Sequence, residues 1–271
     1  MKTSIPIVFF LCFSLALSSC SVKEDRTDCP CYVSVMTDTD SDNQDPDHSS
    51  VCLVTFFDDE GRCLDSKLIS SECLRSGDNR TKVRKGNVFV SVLQNKGEMI
   101  LEGSSYVRCR EGEDSEPIYS WLKCEVARGD ELLVKGTFQK QFARVTLSLV
   151  NSGSSDYPYD LQITSGQNGL NLFSLQSSEG ELRFCPTVEG LVSKFRLPRQ
   201  KDGGWINLSL VDKETGAVSG SLDLGSYIDA AGYSWNSEYL GDINLVIDYS
   251  RCTLTINVND WDEGKTFSFV I

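Results

Sequence analysis

The sequence predicts an all-β protein built as two β-sandwich domains in tandem. Three observations carry that expectation. From Tyr32 onward, short runs alternate apolar and polar residues, as half-buried strands do, because successive side chains on a strand point to opposite faces. The runs are broken at close intervals by Gly, Asn, Asp and Ser, which supply turn geometry. Two similar acidic turns, Phe57-Asp58-Asp59-Glu60-Gly61 and Val211-Asp212-Lys213-Glu214-Thr215-Gly216, fall at comparable depth in the two halves and hint at related units.

In the first half, residues 32–36, 51–57, 88–92, 98–109, 118–126 and 132–138 read as strands. A polar, basic stretch at 136–141 then marks a boundary, dividing the chain into an N-terminal sandwich at 29–138 and a C-terminal one at 139–271. The second half opens with Val145, Leu147 and Leu149 alternating with Thr146 and Ser148. It continues with strands at 160–163, 182–185, 206–211, 217–222, 243–247, 254–258 and 266–271. Helix is scarce: 66–74 and 224–231 each suit a turn or two, and neither repeats the apolar stripe of a core helix.

Ahead of the first strand, Lys2 precedes thirteen mostly apolar residues, 5–17, and then Ser18, Ser19 and Cys20. That run is short of the roughly 20 apolar residues a membrane-spanning helix needs, and its flanks match a secretory signal. Leu17-Ser18-Ser19-Cys20 resembles the bacterial lipobox, which places cleavage between Ser19 and Cys20 and a lipid on the Cys20 thiol; the alternative is an ordinary signal cut elsewhere. Residues 1–19 are then removed and 20–28 become a lipidated tether. Two or three acyl chains bury enough methylenes to make attachment effectively permanent.

The formal net charge is −13. Nucleic acid is excluded as a partner, since phosphate binding requires clustered Lys and Arg, and so is a polybasic membrane patch. Eleven cysteines become nine once Cys12 leaves with the signal and Cys20 takes lipid. In an exported chain some of these are expected to form disulfides, and an odd number leaves at least one unpaired. The only close pair is Cys29-Pro30-Cys31 and the only histidine is His48, so neither a zinc site nor a C-x-x-C redox site is expected.

His48 lies in the polar loop "DTDSDNQDPDHSS", which deprives serine or cysteine triads of an imidazole base. Asp38, Asp40, Asp42, Asp45 and Asp47 in the same loop alternate like calcium ligands, but the glycine of a calcium loop is missing and Ser49 stands where a bidentate Glu would close the shell, so a solvated acidic loop is favoured. Gly264-Lys265-Thr266 lacks the upstream glycine of a phosphate loop. With no nucleophile-elbow, dinucleotide or metalloprotease motif, the chain is expected to bind no cofactor and to be no enzyme. Of the tryptophans, Trp121 and Trp261 fit strand packing, whereas Trp205 and Trp235 are candidates for a glycan platform.

"CSVKEDRTDCPC" (residues 20–31), "KQFARVTLSLVN" and "LTINVNDWDEG" together resemble the lipoproteins that anchor fimbriae in Gram-negative anaerobes, the minor-fimbrium anchor or fimbrillin-associated family. The resemblance implies transthyretin-like sandwiches, a non-enzymatic role in cell adhesion, fimbrial pilin subunits as partners, and a place on the outer face of the outer membrane at the base of a fimbrium. Only eight residues, 21–28, separate the lipid from Cys29, so cutting after Arg26 sheds no strand and opens no groove, unlike the processing of shaft pilins. A subunit of that kind fixes the fibre and ends its growth. Its terminal segment, with Phe267, Phe269 and Ile271 on one face, is a candidate donor strand, or else simply the last strand of its own sandwich. The alternatives are a surface glycan-binding lipoprotein and a fimbrial shaft or tip subunit.

Overall fold

A computed structural model of the chain describes residues 29–38, 51–150, 157–248, 251, 253–259 and 265–270. The acidic loop beyond Asp38 with His48, and also Cys20, Trp261 and Ile271, lie outside them. The first half contains β1 (Pro30–Thr37), β2 (Val51–Phe57), β3 (Cys63–Ser70), α1 (Ser71–Ser76), β4 (Thr81–Arg84), β5 (Gly86–Gln94), β6 (Ile100–Glu102), β7 (Tyr106–Arg108), β8 (Tyr119–Ala127), β9 (Glu131–Gly136) and β10 (Gln139–Lys140). One sheet runs β10-β8-β5-β2-β3 and a second runs β4-β1-β9. The alternation read from sequence is the cause: Cys31, Val33 and Val35 of β1 meet Val54 and Phe56 of β2 and Val88, Val90 and Val92 of β5 in one core. Each such side chain taken from water contributes about 1.5–3 kcal/mol.

The second half contains β11 (Phe142–Val150), β12 (Tyr159–Asn171), β13 (Ser177–Phe184), β14 (Val188–Glu189), β15 (Val192–Pro198), β16 (Asn207–Asp212), β17 (Val218–Asp223), α2 (Leu224–Ala230), β18 (Asp242–Asp248), β19 (Thr253–Asn259) and β20 (Lys265–Val270). One sheet runs β14-β15-β11-β18-β19-β20, and β17-β16-β12 form the core of the other, with β13 also paired to β12. Val145, Leu147 and Leu149, with Ile243 and Leu245 beside them in the same sheet, join Leu161, Ile163 and Leu208 in a second core.

The two halves repeat one strand order. The opening strand lies between an antiparallel partner and a parallel one: β4 and β9 for β1, β15 and β18 for β11. The facing sheets correspond as β3-β2-β5-β8 and β13-β12-β16-β17. This, and not the acidic turns, is the internal repeat. The first turn joins β2 to β3, whereas the second joins β16 to β17, the counterparts of β5 and β8. The turns are alike because both solve a hairpin the same way: Asp58 accepts from the Glu60 and Arg62 amides, Asp212 from the Glu214 and Thr215 amides, and Gly61 and Gly216 take φ of 74° and 69°.

Several expected elements differ. Residues 66–70 belong to β3, because seven pairings with β2 outweigh weak local helix preference; the helix starts at Ser71, where Ser70 accepts from the Cys73 amide, and ends at Gly77 with φ 71°. Residues 98–109 form not one strand but the β6–β7 hairpin, turning at Gly103 with φ 60°. That hairpin leaves the sheets of its own half. Arg108, Val107 and Tyr106 pair with Gly169, Leu170 and Asn171 on the edge of β12 opposite β13. Gly169 permits the approach, since a Cβ there would stand 2.0 Å from the Val107 carbonyl oxygen.

The sandwiches therefore share packed surface. Every residue of β2 from Cys52 to Phe57 is buried: Cys52, Val54 and Phe56 in the first core, Leu53 and Phe57 in the second. Phe173, in the β12–β13 turn, stands edge-on to Phe57 and Phe89 at 5.5 and 5.0 Å. The chain crosses between the sandwiches at β10 and β11 under similar constraint. Lys140, 4% exposed, bonds the Asp242 carboxylate and lies 5.0 Å from the Phe142 ring, while the buried Arg199 guanidinium donates to Gln141 Oε1 (2.7 Å) and the Trp235 carbonyl (2.6 Å).

The disulfide expectation is corrected. All eight described cysteines of the mature chain, Cys29, Cys31, Cys52, Cys63, Cys73, Cys109, Cys124 and Cys185, are free. Three of them, Cys31, Cys52 and Cys109, pack as small apolar residues, and burial pushes the Cys52 and Cys109 thiols up to about 11 and about 12. Cys63 and Cys124 share one cross-strand row with Phe57 and Phe89 between them, some three strand spacings or about 14 Å apart, beyond disulfide reach.

Candidate subunit interface

β9 is one of the outer strands of the first sandwich, as β3, β4 and β10 are. In its parallel ladder with β1, Tyr32 N–H donates to the Asp130 carbonyl (2.8 Å) and Asp38 N–H to that of Gly136 (3.1 Å). That phase leaves the backbone N–H and C=O of Glu131, Leu133 and Lys135 pointing away from β1. Among the described residues no strand pairs with that edge. The corresponding edge of β18 is filled by β19, paired antiparallel from Asp242↔Asn259 to Asp248↔Thr253, and beyond it by β20.

The opposite edge of β1 shows what completion looks like. Beyond β4, the Asn79 side chain continues the ladder, its Oδ1 accepting from the Val35 amide (2.9 Å) and its Nδ2 donating to the Val35 carbonyl (2.8 Å). Beside β9 nothing comparable exists among the described residues. Its inward residues Leu132 and Val134 border the first core, while Leu133 is 50% and Tyr32 42% exposed on the outer face. There Arg80 lies over the Tyr32 ring and bonds Glu131, above a shallow groove of about 350 Å³. Gly136 ends the strand under the Trp121 ring, where a Cβ would stand 2.2 Å from an indole carbon.

The candidate donor segment lies in β20. Phe267 pairs with Ile256 and Phe269 with Leu254 of β19, so these residues stand in their own sheet, at its outermost place. Trp121 is buried at 2% exposure, as strand packing requires. Trp205 and Trp235 do not form one platform: Trp235 is 3% exposed and packs edge-on to Tyr233 at 4.7 Å, whereas Trp205 is 70% exposed. Among the described residues no helix is long and apolar enough to cross a membrane.

The open edge was missed by sequence reasoning. "ELLVKG" reads as an ordinary strand, with charged Glu131 and Lys135 of the kind found on edges as its only signal.

No family profile and no curated protein sequence matches the chain. Solved structures do. The fimbrial anchor protein Mfa2 of Porphyromonas gingivalis superposes with a TM-score of 0.60 at 16% identity, over 86% of this chain and 98% of that one. A proposed polysaccharide-binding protein of Bacteroides thetaiotaomicron gives 0.59 at 15%, over 90% and 98%, and a proposed adhesin of Bacteroides ovatus 0.56 at 13%, over 88% and 96%. The chain thus shares its fold along nearly its whole length with these three proteins.

Proposed function

We propose that this chain is a non-enzymatic lipoprotein of the outer membrane that fixes a fimbrium to the cell surface and ends its assembly. Fatty chains at Cys20 hold it to the membrane, and the β9 edge holds the fibre by taking one antiparallel strand from the neighbouring pilin. The carrying observation is the unequal finish of two sandwiches of one design: β18 has β19 and β20 beside it, and β9 has an open edge. An added strand there satisfies the outward backbone groups of Glu131, Leu133 and Lys135 and covers Leu132. Because β20 stays paired with β19, the subunit accepts a strand and passes none on, which ends growth. The fold shared with a fimbrial anchor protein supports this reading. It departs from the groove-free subunit expected from the short tether, since the edge needs no processing to be open.

Leu133→Pro tests it. The lost N–H points away from β1, so the sandwich keeps its own ladder and melts within about 1 kcal/mol of the parent. Cells carrying the variant are expected to shed fibres into the medium. Fibres that stay on the cell would refute strand addition at β9, and shedding only after residues 265–270 are deleted would make β20 the joining strand. Labelled palmitate retained by the parent and lost on Cys20→Ala tests the lipid.

A further inference from the structure

Away from the β9 edge, the outward face of the second sandwich carries a second feature. A cleft of about 1140 Å³ runs from the β6–β7 hairpin across β12 to β13. It exists because the borrowed hairpin extends this sheet past the point where β16 stops pairing, at Thr164. Along β12, residues 162, 164, 166 and 168 alternate outward while Leu161, Ile163, Ser165 and Gln167 turn inward. Glycine at position 166 leaves a gap in that outward row. Trp205 fills it, its Cβ lying 3.4 Å from where a Gly166 Cβ would be.

An indole left 70% exposed is open to a ligand, and this one is held in place. The loop before it is pinned to α2: Gly203 N–H donates to Asp229 Oδ2 (2.9 Å), Gly225 N–H to the Ile206 carbonyl (2.9 Å), and Ile206 N–H to the Gly203 carbonyl (3.2 Å). The backbones approach so closely that a Cβ on Gly225 would stand 1.4 Å from the Gly203 oxygen. Trp205 is therefore presented on a fixed support, with little ordering left to do on binding.

The cleft beside it is polar and balanced in charge. Three arginines, Arg108, Arg110 and Arg183, and three glutamates, Glu102, Glu111 and Glu181, line it. Arg108 bonds Glu102 and donates to the Glu179 carbonyl (2.6 Å), and Arg183 bonds Glu181 at 2.9 Å, so donors and acceptors alternate in set positions. Between them Asn168 lines the cleft and donates Nδ2–H to the Glu181 carbonyl (2.9 Å).

We infer that this face, Trp205 with the Asn168–Arg108–Arg183 cleft, is a binding site for a neutral oligosaccharide. The C–H face of a pyranose stacks on the indole. Sugar hydroxyls, each both donor and acceptor, match the alternating Arg and Glu rows. A net-neutral lining gives no preference to an anionic or cationic ligand. The site is separate from the β9 edge and does not depend on the fimbrial reading.

Affinity electrophoresis of the full chain in gels holding yeast mannan, xylan, barley β-glucan or arabinogalactan tests it. At least one gel is expected to retard the parent, with Trp205→Ala and Arg183→Ala each weakening apparent affinity about tenfold or more, and Trp205→Phe staying within about threefold. No retardation in any of the four gels, or retardation unchanged in both alanine variants, overturns the site. Trp205 is exposed, so its replacement leaves the fold intact, and cells carrying Trp205→Ala are expected to keep their fibres attached. Fibre loss in Leu133→Pro with sugar binding retained separates the two sites.

Discussion

The two sandwiches begin alike and finish differently. Each sets its opening strand between an antiparallel and a parallel neighbour, yet among the described residues the first sheet stops at β9 after three strands while the second continues through β19 and β20 to six. The first sandwich also sends its β6–β7 hairpin away, to lengthen a sheet of the second. One topology thus has two finishes: a short sheet whose outer edge carries the proposed strand addition, and a sheet lengthened by a borrowed hairpin, whose face carries the proposed sugar site. The difference lies in how many strands are added to a common frame, not in the frame.

The largest effect is expected where the two halves meet. Phe57 is fully buried, on a strand with one face in each core, so Phe57→Ala should cost about 3–5 kcal/mol. If the sandwiches are energetically one unit, urea unfolding stays a single transition with an unchanged slope; two resolved transitions would show that they melt separately. A smaller loss is expected at the crossing. Lys140→Met removes the partner of Asp242, which is 37% exposed, and should cost about 1–2 kcal/mol, with most of it recovered in the double variant with Asp242→Asn.

The smallest effect compares the two acidic turns. Hydrogen bonds from the Arg62 side chain and from the Thr215 amide, respectively, hold Asp58 and Asp212 below the usual carboxylate range. A depressed folded-state value contributes stability that is complete above the ordinary carboxylate pKa, near 4, and is lost as pH falls through the folded value. Asp58→Asn and Asp212→Asn should each slightly lower the melting temperature at pH 7 and flatten its decline below about pH 4, so that parent and variant converge in acid. An equal flattening marks the turns as equivalent in energy although they are not equivalent in topology.

Much of the strand pattern was legible because alternation reports burial directly. Val145, Leu147 and Leu149 read as one face of a strand and are one. Asp58 and Asp212 were legible as turn residues because their hydrogen bonds are local. Residues 98–109 were not, since a run of similar composition pairs with itself or with a distant strand equally well, and the choice depends on Gly169, some sixty positions away. Trp205 and Trp235 looked equivalent in sequence. One is capped by a buried arginine network and the other rides on a glycine gap, and neither neighbour is adjacent in the chain.

Residue order by itself determined that this chain forms sheets, where many of its strands lie, and how its acidic hairpins turn, because those follow from side-chain alternation and from hydrogen bonds spanning a few residues. Only the tertiary structure decided which edge stays open, which sheet receives the hairpin and which tryptophan reaches solvent. Those outcomes rest on pairings between segments tens of residues apart, where backbone groups of every residue type are alike and packing alone selects the partner.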